Sequence, residues 1–283
     1  MILTIPTKKA NKPKKHHYVP RFYLKNWSMS DGCVYVFTKK NGSRNLKKVS
    51  TKDICSEKNL YTKRRGNVDV EKKFLADLDD KASKALSALI KLGPDRIAAD
   101  EKKNFARFIN TLHFRHPDFV NEMREYSETR RQRGLEWAEK VYVQSGEDIR
   151  HLFKKEKYDD SPAVMEYHAD DGLEIILNAH WELLFNNSPF EFLTSDFPLR
   201  LVQISGSVTH GLCLPEKFLL SLPLNPHNIL LISNVATRLR NIKTMPMEDL
   251  VKKANLATVK QSYNIVISST LSLENFILKH AGE

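Results

Sequence analysis

The chain has 283 residues, a net charge of +11, 41% hydrophobic residues and 28% charged residues. That composition favours a packed core over disorder. No apolar run approaches the roughly 18 residues of a membrane-spanning helix, and the first residues lack a signal-peptide pattern. We therefore expect a cytoplasmic protein without membrane association. Three scattered cysteines argue against a disulfide framework and against a thiolate zinc site.

The positive charge is concentrated near the start of the chain. Residues 1–65 contain 17 Lys and Arg against 3 Asp and Glu, whereas residues 66–283 carry a net charge of −3. Such a local excess is typical of proteins that bind a polyanion, although a solubilising tail would have the same composition. We expect RNA or DNA as the partner, with a protein partner as the alternative. Residues 1–15 are predicted to form a flexible basic arm, and residues 16–283 a single domain.

The pattern of apolar residues changes along the chain. Residues 32–37 predict a strand, Asn41-Gly42 predicts a hairpin turn, and a return strand is expected over about 44–49. A central helical region is expected over about 68–177. Its helices are predicted over 69–92, from about 100 to Pro117, over 118–144, and from after Pro162 to about 177.

Short apolar runs follow the helical region. They predict strands over 181–185, 190–194, 199–204, 218–222, 229–233 and 263–268, and helices over 247–261 and 273–280. We expect an α+β fold, in which the N-terminal hairpin and the C-terminal strands build a mixed or antiparallel sheet.

The segment from His16 to Trp27 contains several residue types that carry chemistry. Histidine exchanges a proton near neutral pH, arginine and lysine bind phosphate, and aromatic rings stack on bases. The alternative is that the segment packs into the core. We predict catalytic roles for His17, Tyr18 and Arg21. Nucleic-acid contacts are predicted for Lys14, Lys15, Tyr23, Lys25, Arg64 and Arg65.

Two later positions complete the predicted site. Arg115 ends a helix just before a proline, and we expect it to pair with a carboxylate. Asp196, in a Ser-Asp-x-Pro segment, is either a functional acid or the cap of a turn. We expect Asp196 to form an ion pair with Arg115 or Arg21. The run from Arg130 to Arg133 in the third helix indicates a solvated face.

Several known motifs are missing from the sequence. Phosphate-binding loops, dinucleotide-binding loops and the nucleophile elbow of hydrolases have no match, so we expect no cofactor. His113 and His116 lie one helical turn apart, but no nearby acid completes a zinc set. We therefore expect no metal, and a two-metal nuclease is not supported.

Five short segments, in order, resemble the bacterial family known as domain of unknown function 4238. The opening His-Tyr-x-Pro-x-x-Tyr-Leu motif is the most specific of them. The resemblance implies one bacterial domain with no assigned activity, in genes of mobile-element or defence type. The matching residues are His17, Tyr18, Pro20, Tyr23, Leu24, Asn59, Leu60, Tyr61, Phe108, Ile109, Arg115, Pro117, Ser195, Asp196, Pro198, Pro223, Leu224 and Pro226.

Three hypotheses for function follow. The first is a nucleic-acid-directed bacterial effector, a metal-independent RNase-like nuclease of a defence or mobile-element system. In it, His17 transfers a proton, Arg21, Lys25 and Arg115 stabilise phosphate charge, and Asp196 orients a partner. The second is a non-enzymatic module that binds nucleic acid or protein. The third is a small-molecule enzyme with its pocket between the N-terminal segment and the Ser-Asp-x-Pro loop.

Overall fold

A computed structural model describes residues 15–40, 45–58, 60–61, 74–153, 166, 169–205 and 214–281. Within these residues the predicted α+β class is confirmed, with antiparallel strand pairs throughout. The strands are β1 (Lys15–His17), β2 (Cys33–Thr38), β3 (Lys47–Ser50), β4 (Ser56–Lys58), β5 (His180–Phe185), β6 (Thr194–Ser195), β7 (Arg200–Ser205), β8 (Lys217–Asn225), β9 (Asn228–Ser233) and β10 (Ile265–Ser268).

Eight α-helices are assigned within the same residues. The N-terminal segment forms one short turn of helix, three long helices fill the middle of the chain, and the others flank the late strands. They are α1 (Arg21–Leu24), α2 (Ala76–Leu92), α3 (Ala99–Phe114), α4 (Pro117–Ser145), α5 (Leu173–Asn178), α6 (Ala236–Lys243), α7 (Met247–Gln261) and α8 (Glu274–His280).

One four-stranded sheet joins the two ends of the chain in the order β3-β2-β10-β6. In the hairpin, Val34 lies opposite Val49, and on its other side β2 pairs with β10, with Val36 opposite Ile267. The prediction that the N-terminal hairpin pairs with late strands is therefore confirmed. The predicted turn at 41–42 lies outside the described residues.

A second four-stranded sheet has the order β5-β9-β8-β7. Every residue of β9 is buried, which explains why this strand reads as a continuous apolar run rather than as an alternation. The predicted strand over 190–194 is confirmed only at its end, in β6. Phe192 donates its N–H to the carbonyl of Pro226, and Leu193 donates to the side chain of Asn255, so this backbone is satisfied outside a ladder.

The central helices begin and end at residues that the sequence marks. The backbone at Gly93 has φ of +80°, which ends α2, and Pro117 occupies the first turn of α4, where it needs no hydrogen-bond acceptor. The α6 helix was not predicted from the sequence. None of the described helices combines the length and the apolarity that crossing a membrane requires.

The largest core cluster connects the N-terminal segment with the helices and both sheets. Tyr23 and Trp27 are fully buried in it. Because these aromatic residues fix the segment 18–27 in the core, the strand β1 that precedes it has a defined position against α2 and α3. That position is where the candidate site lies.

Candidate functional site

The two adjacent histidines of β1 have opposite environments. Strand alternation directs them to opposite faces. His16 is buried, its ring is stacked on that of Tyr61 with 5.5 Å between centroids, and its Nδ1 accepts the Tyr61 N–H at 2.8 Å. His16 is therefore a structural residue, whereas His17 lies on the other face of the strand.

The surroundings of His17 favour the neutral form of its ring. Burial and then the charge of Arg21 lower the pKa of His17, and hydrogen bonds from its ring to the backbone of Lys52 and Thr51 raise it by less, so the net pKa lies below 6.5. Among the described residues its buried Nε2 has no hydrogen-bond partner. The donating nitrogen is therefore Nδ1, and Nε2 carries the free lone pair in the neutral ring.

A cleft of about 220 Å³ lies beside His17. It is bounded by β1 and α1 on one side and by the start of α2 and the end of α3 on the other. Two apolar residues at the start of α2 complete its wall. Its polar residues are Lys15, His17, Arg21, Tyr61, Asp79 and Arg115.

Arg115 enters the cleft from the end of α3 and is fully buried. Its Nη2 donates to Oδ1 of Asp79 at 2.7 Å, and its guanidinium carbon lies 5.8 Å from the centre of the Phe108 ring. Within the described residues its Nε has no hydrogen-bond partner. The prediction that Arg115 pairs with a carboxylate is confirmed, but the carboxylate is Asp79.

Positive charge exceeds negative charge around the cleft. Lys15, Arg21 and Arg115 line it together with a single carboxylate, that of Asp79. Lys15 also contacts the exposed Asp53 at 2.9 Å, a type of surface pair that is weak and readily exchanged. The lining of the cleft therefore suits an anion, since Arg21 and His17 lie on one side of it and Arg115 lies on the other.

Asp196 does not belong to this cleft, and the predicted ion pair with Arg115 or Arg21 is wrong. Its carboxylate accepts the backbone N–H groups of Tyr263, Asn264 and Ile265 at 3.0, 2.7 and 2.9 Å. Burial raises the pKa of Asp196, and these three hydrogen bonds lower it. Its bonds fix the turn that leads into β10, so it acts as a structural cap.

Two predicted aromatic residues are also placed away from the cleft. Tyr23 is fully buried, and its hydroxyl donates to the carbonyl of Pro223 at 2.6 Å, so no base can stack on its ring. Tyr18 is half-buried and bonds the thiol of Cys55, and burial raises its pKa. The structure therefore removes Tyr23 from the predicted nucleic-acid contacts and gives Tyr18 a packing environment.

The other predicted phosphate contacts are dispersed. Lys25 is exposed but does not line the cleft. Lys14, Arg64 and Arg65 lie outside the described residues, as does most of the predicted basic arm. Of the predicted set, the structure thus brings together Lys15, His17, Arg21 and Arg115.

Asp79 was missed by sequence reasoning, although the sequence contains a clue. It lies four residues after Leu75 and seven before Leu86, both of which are buried. A carboxylate on the apolar stripe of an amphipathic helix needs a cationic partner. That spacing could have identified Asp79 as the carboxylate expected for Arg115.

His113 and His116 do not form a metal site. The Nδ1 of His116 accepts the N–H of Asp118 at 3.2 Å and so caps α4, while its ring is stacked on Tyr263 at 3.9 Å. Burial lowers the pKa of His116 to about 4. In the part of the chain that the structure describes, no group of three or more His, Cys, Asp or Glu side chains could hold a metal ion.

The fold and the cleft define an antiparallel α+β protein with a cationic, histidine-containing cleft. The model of the family DUF4238, which is described as a protein of unknown function, matches residues 15–272 of the chain. The chain therefore belongs to that family, as the resemblance of its motifs predicted. Neither a curated protein nor a solved structure matches the chain.

Proposed function

We propose that the protein is a nucleic-acid-directed effector of the metal-independent RNase type, with the cleft beside His17 as its active site. The observation that supports this proposal most directly is a cleft lined by His17, Arg21 and Arg115, in which two buried nitrogens, Nε2 of His17 and Nε of Arg115, have no hydrogen-bond partner among the described residues. One is a proton acceptor and the other a cationic donor. Cleavage of a phosphodiester without a metal needs both.

The chemistry assigns a role to each side chain. The Nε2 of His17 takes the proton of a ribose 2′-hydroxyl, and the 2′-oxygen attacks the adjacent phosphorus. The bond from phosphorus to the 5′-oxygen breaks, a 2′,3′-cyclic phosphate forms, and Lys15 donates a proton to the leaving oxygen. Arg21 and Arg115 stabilise the negative charge that builds on the phosphoryl oxygens. Proton exchange with water then resets His17 and Lys15.

The pH dependence of this mechanism follows from the environment of His17. The reacting form is the neutral ring, and burial together with Arg21 lowers its pKa below 6.5. We therefore expect the cleavage rate to be independent of pH near neutrality and to fall as the pH decreases through an apparent pKa below that value. A rate that falls as the pH rises through neutrality would contradict this assignment.

The decisive experiment is cleavage of single-stranded RNA by the purified protein in the presence of EDTA. His17→Asn retains a donor at the position of Nδ1 and removes the base at Nε2, so we expect a loss of roughly 10²- to 10⁴-fold in rate. His227 is exposed and lies outside the cleft, so His227→Asn is the matched control. The product should carry a cyclic phosphate.

The same experiment distinguishes the alternative of a non-enzymatic binding module. RNA that is bound with strong salt dependence but remains intact over a broad panel of sequences would overturn the nuclease proposal in favour of that module. Cleavage that EDTA abolishes would overturn it in favour of metal-dependent chemistry.

A further inference from the structure

A stripe of exposed cationic and aromatic residues runs along α4. The stripe consists of Tyr126, Arg130, Arg133, Trp137 and Lys140, which follow each other at spacings of four, three, four and three residues. Such spacing places all five side chains on one face of the helix. Each of them is exposed, and the stripe is about 21 Å long at 1.5 Å per residue.

The cations of the stripe differ from the other cations beside them. Arg131 pairs with Glu128, Arg124 donates to the carbonyl of Leu60, and Arg150 pairs with Asp148. In the stripe, by contrast, neither Arg133 nor Lys140 forms an ion pair with another described residue. The five stripe positions carry three cations and no Asp or Glu, and Glu136 lies beside the row, three residues after Arg133 and four before Lys140.

The aromatic residues of the stripe are large and accessible. Trp137 is 55% exposed and Tyr126 is 59% exposed. The Arg130 guanidinium lies 5.9 Å from the centre of the Tyr126 ring, and the ring of Phe153 lies perpendicular to that of Trp137. An exposed tryptophan within a row of cations is not accounted for by solubility, since charged residues alone would serve that purpose.

Close packing holds the Trp137 end of the stripe in place. A side chain at Gly134 would overlap the Phe153 ring, so the glycine allows residues 150–153 to pack tightly against α4. Glycine within a helix costs about 1 kcal/mol relative to alanine. Its presence here is explained by this contact, which positions Phe153 beside Trp137.

We propose that this stripe binds single-stranded nucleic acid, in addition to the cleft beside His17. Unpaired bases stack on Tyr126 and Trp137, and the phosphates between them contact Arg130, Arg133 and Lys140. Alternating aromatic and cationic side chains are the chemistry by which proteins hold single strands without reading their sequence. A duplex offers only its phosphates to this face, because its bases are already stacked.

The stripe would extend the nucleic-acid contacts well beyond the cleft. The α4 helix begins two residues after Arg115, and Tyr126 lies about 14 Å along it from Pro117. This inference does not depend on cleavage, since a strand can bind to the stripe whether or not the cleft cuts it. A DNA strand separates the two proposals, because it lacks the 2′-hydroxyl that the cleavage mechanism requires.

The test is a titration of the full chain with oligo-dT of roughly 20 nucleotides in EDTA. The chain has three tryptophans, and Trp27 and Trp181 are buried. Stacking of bases on Trp137 should therefore quench the accessible part of the fluorescence, and Trp137→Phe should remove most of that quenching. Trp137→Ala should weaken binding about 5- to 100-fold.

A charge-matched pair of variants isolates the stripe from general electrostatics. Arg133→Gln/Lys140→Gln removes two cations from the stripe, and Arg238→Gln/Arg240→Gln removes two exposed cations from α6. The stripe variant should reduce the slope of log affinity against log salt by about 1.4, at 0.7 per phosphate contact. The α6 variant should retain most of the slope.

Three outcomes would overturn the proposal. Equal losses in the two double variants would show that net charge alone drives binding. Equally tight binding of an abasic oligomer would exclude base stacking. Competition by an acidic polypeptide that depends on Trp137 more strongly than DNA binding does would assign the stripe to a protein partner instead.

Discussion

The cleft beside His17 and the turn at Asp196 both bury a charged group, but they complete its hydrogen bonds differently. Asp196 accepts three backbone N–H groups at 2.7–3.0 Å. Arg115 has one carboxylate partner and an Nε without a partner among the described residues. A buried charge with complete hydrogen bonding fixes the fold. A buried charge with unused bonding capacity beside a cleft is the kind of group that functional sites contain.

The largest effect on stability is expected at the Asp196 turn. Asp196→Ala removes the buried carboxylate that accepts the N–H groups of Tyr263, Asn264 and Ile265, so we expect the free energy of unfolding to fall by about 4 kcal/mol. Urea denaturation followed by circular dichroism measures this loss. Asp196→Asn retains one carbonyl oxygen and should lose less. A loss of free energy of unfolding no larger than the roughly 0.5 kcal/mol of an ordinary surface substitution would contradict the structural role of Asp196.

A smaller loss is expected in the cleft when the partner of Arg115 is removed. Asp79→Ala leaves the guanidinium buried with no carboxylate, at a cost of about 3 kcal/mol. The double variant Asp79→Leu/Arg115→Met removes both charges and should regain most of that stability while losing binding of RNA. If the double variant is as unstable as the single variant, the ion pair does not account for the loss.

The free energy of unfolding, measured as a function of pH, should show the protonation of His116, which caps α4. Its pKa is lowered to about 4 in the folded protein and is near 6.5 in the unfolded chain. The neutral ring therefore contributes stability that is fully present above pH 6.5 and is lost as the pH falls to about 4, by about 2–3 kcal/mol. His116→Asn keeps a capping oxygen but does not titrate. An unchanged pH profile in this variant would exclude His116 as the cause.

The smallest effect on stability is expected at His17, although we expect its substitution to have the largest effect on the proposed activity. His17→Asn retains the donor to the Thr51–Lys52 backbone and leaves no additional buried group unpaired. We expect its free energy of unfolding to lie within about 1 kcal/mol of the parent. Thermal denaturation measured next to the cleavage assay separates the two roles. A loss as large as that at Asp196 would place His17 among the structural residues.

Much of the fold could be predicted from the sequence because its signals are local. Helical spacing and the proline at 117 gave the bounds of α3 and α4 within a few residues, and α7 runs over the predicted 247–261. The α6 helix could not be predicted because only Leu239 of its residues is buried, so its apolar periodicity is weak. Among the described strands, the short strands β1 and β4 pair only with each other. They could not be predicted because neither has a strand pattern in its own sequence.

The sequence by itself determined that His17, Arg21 and Arg115 are candidates for phosphate chemistry, because residue type sets which proton or charge a side chain can supply. Only the tertiary structure decided that Arg115 pairs with Asp79 and that Asp196 caps a turn. Ion pairs between residues 36 positions apart depend on how α2 and α3 pack. The sequence likewise contains the arginines of α4, but only the tertiary structure places Arg130 and Arg133 exposed in one row with the exposed Trp137.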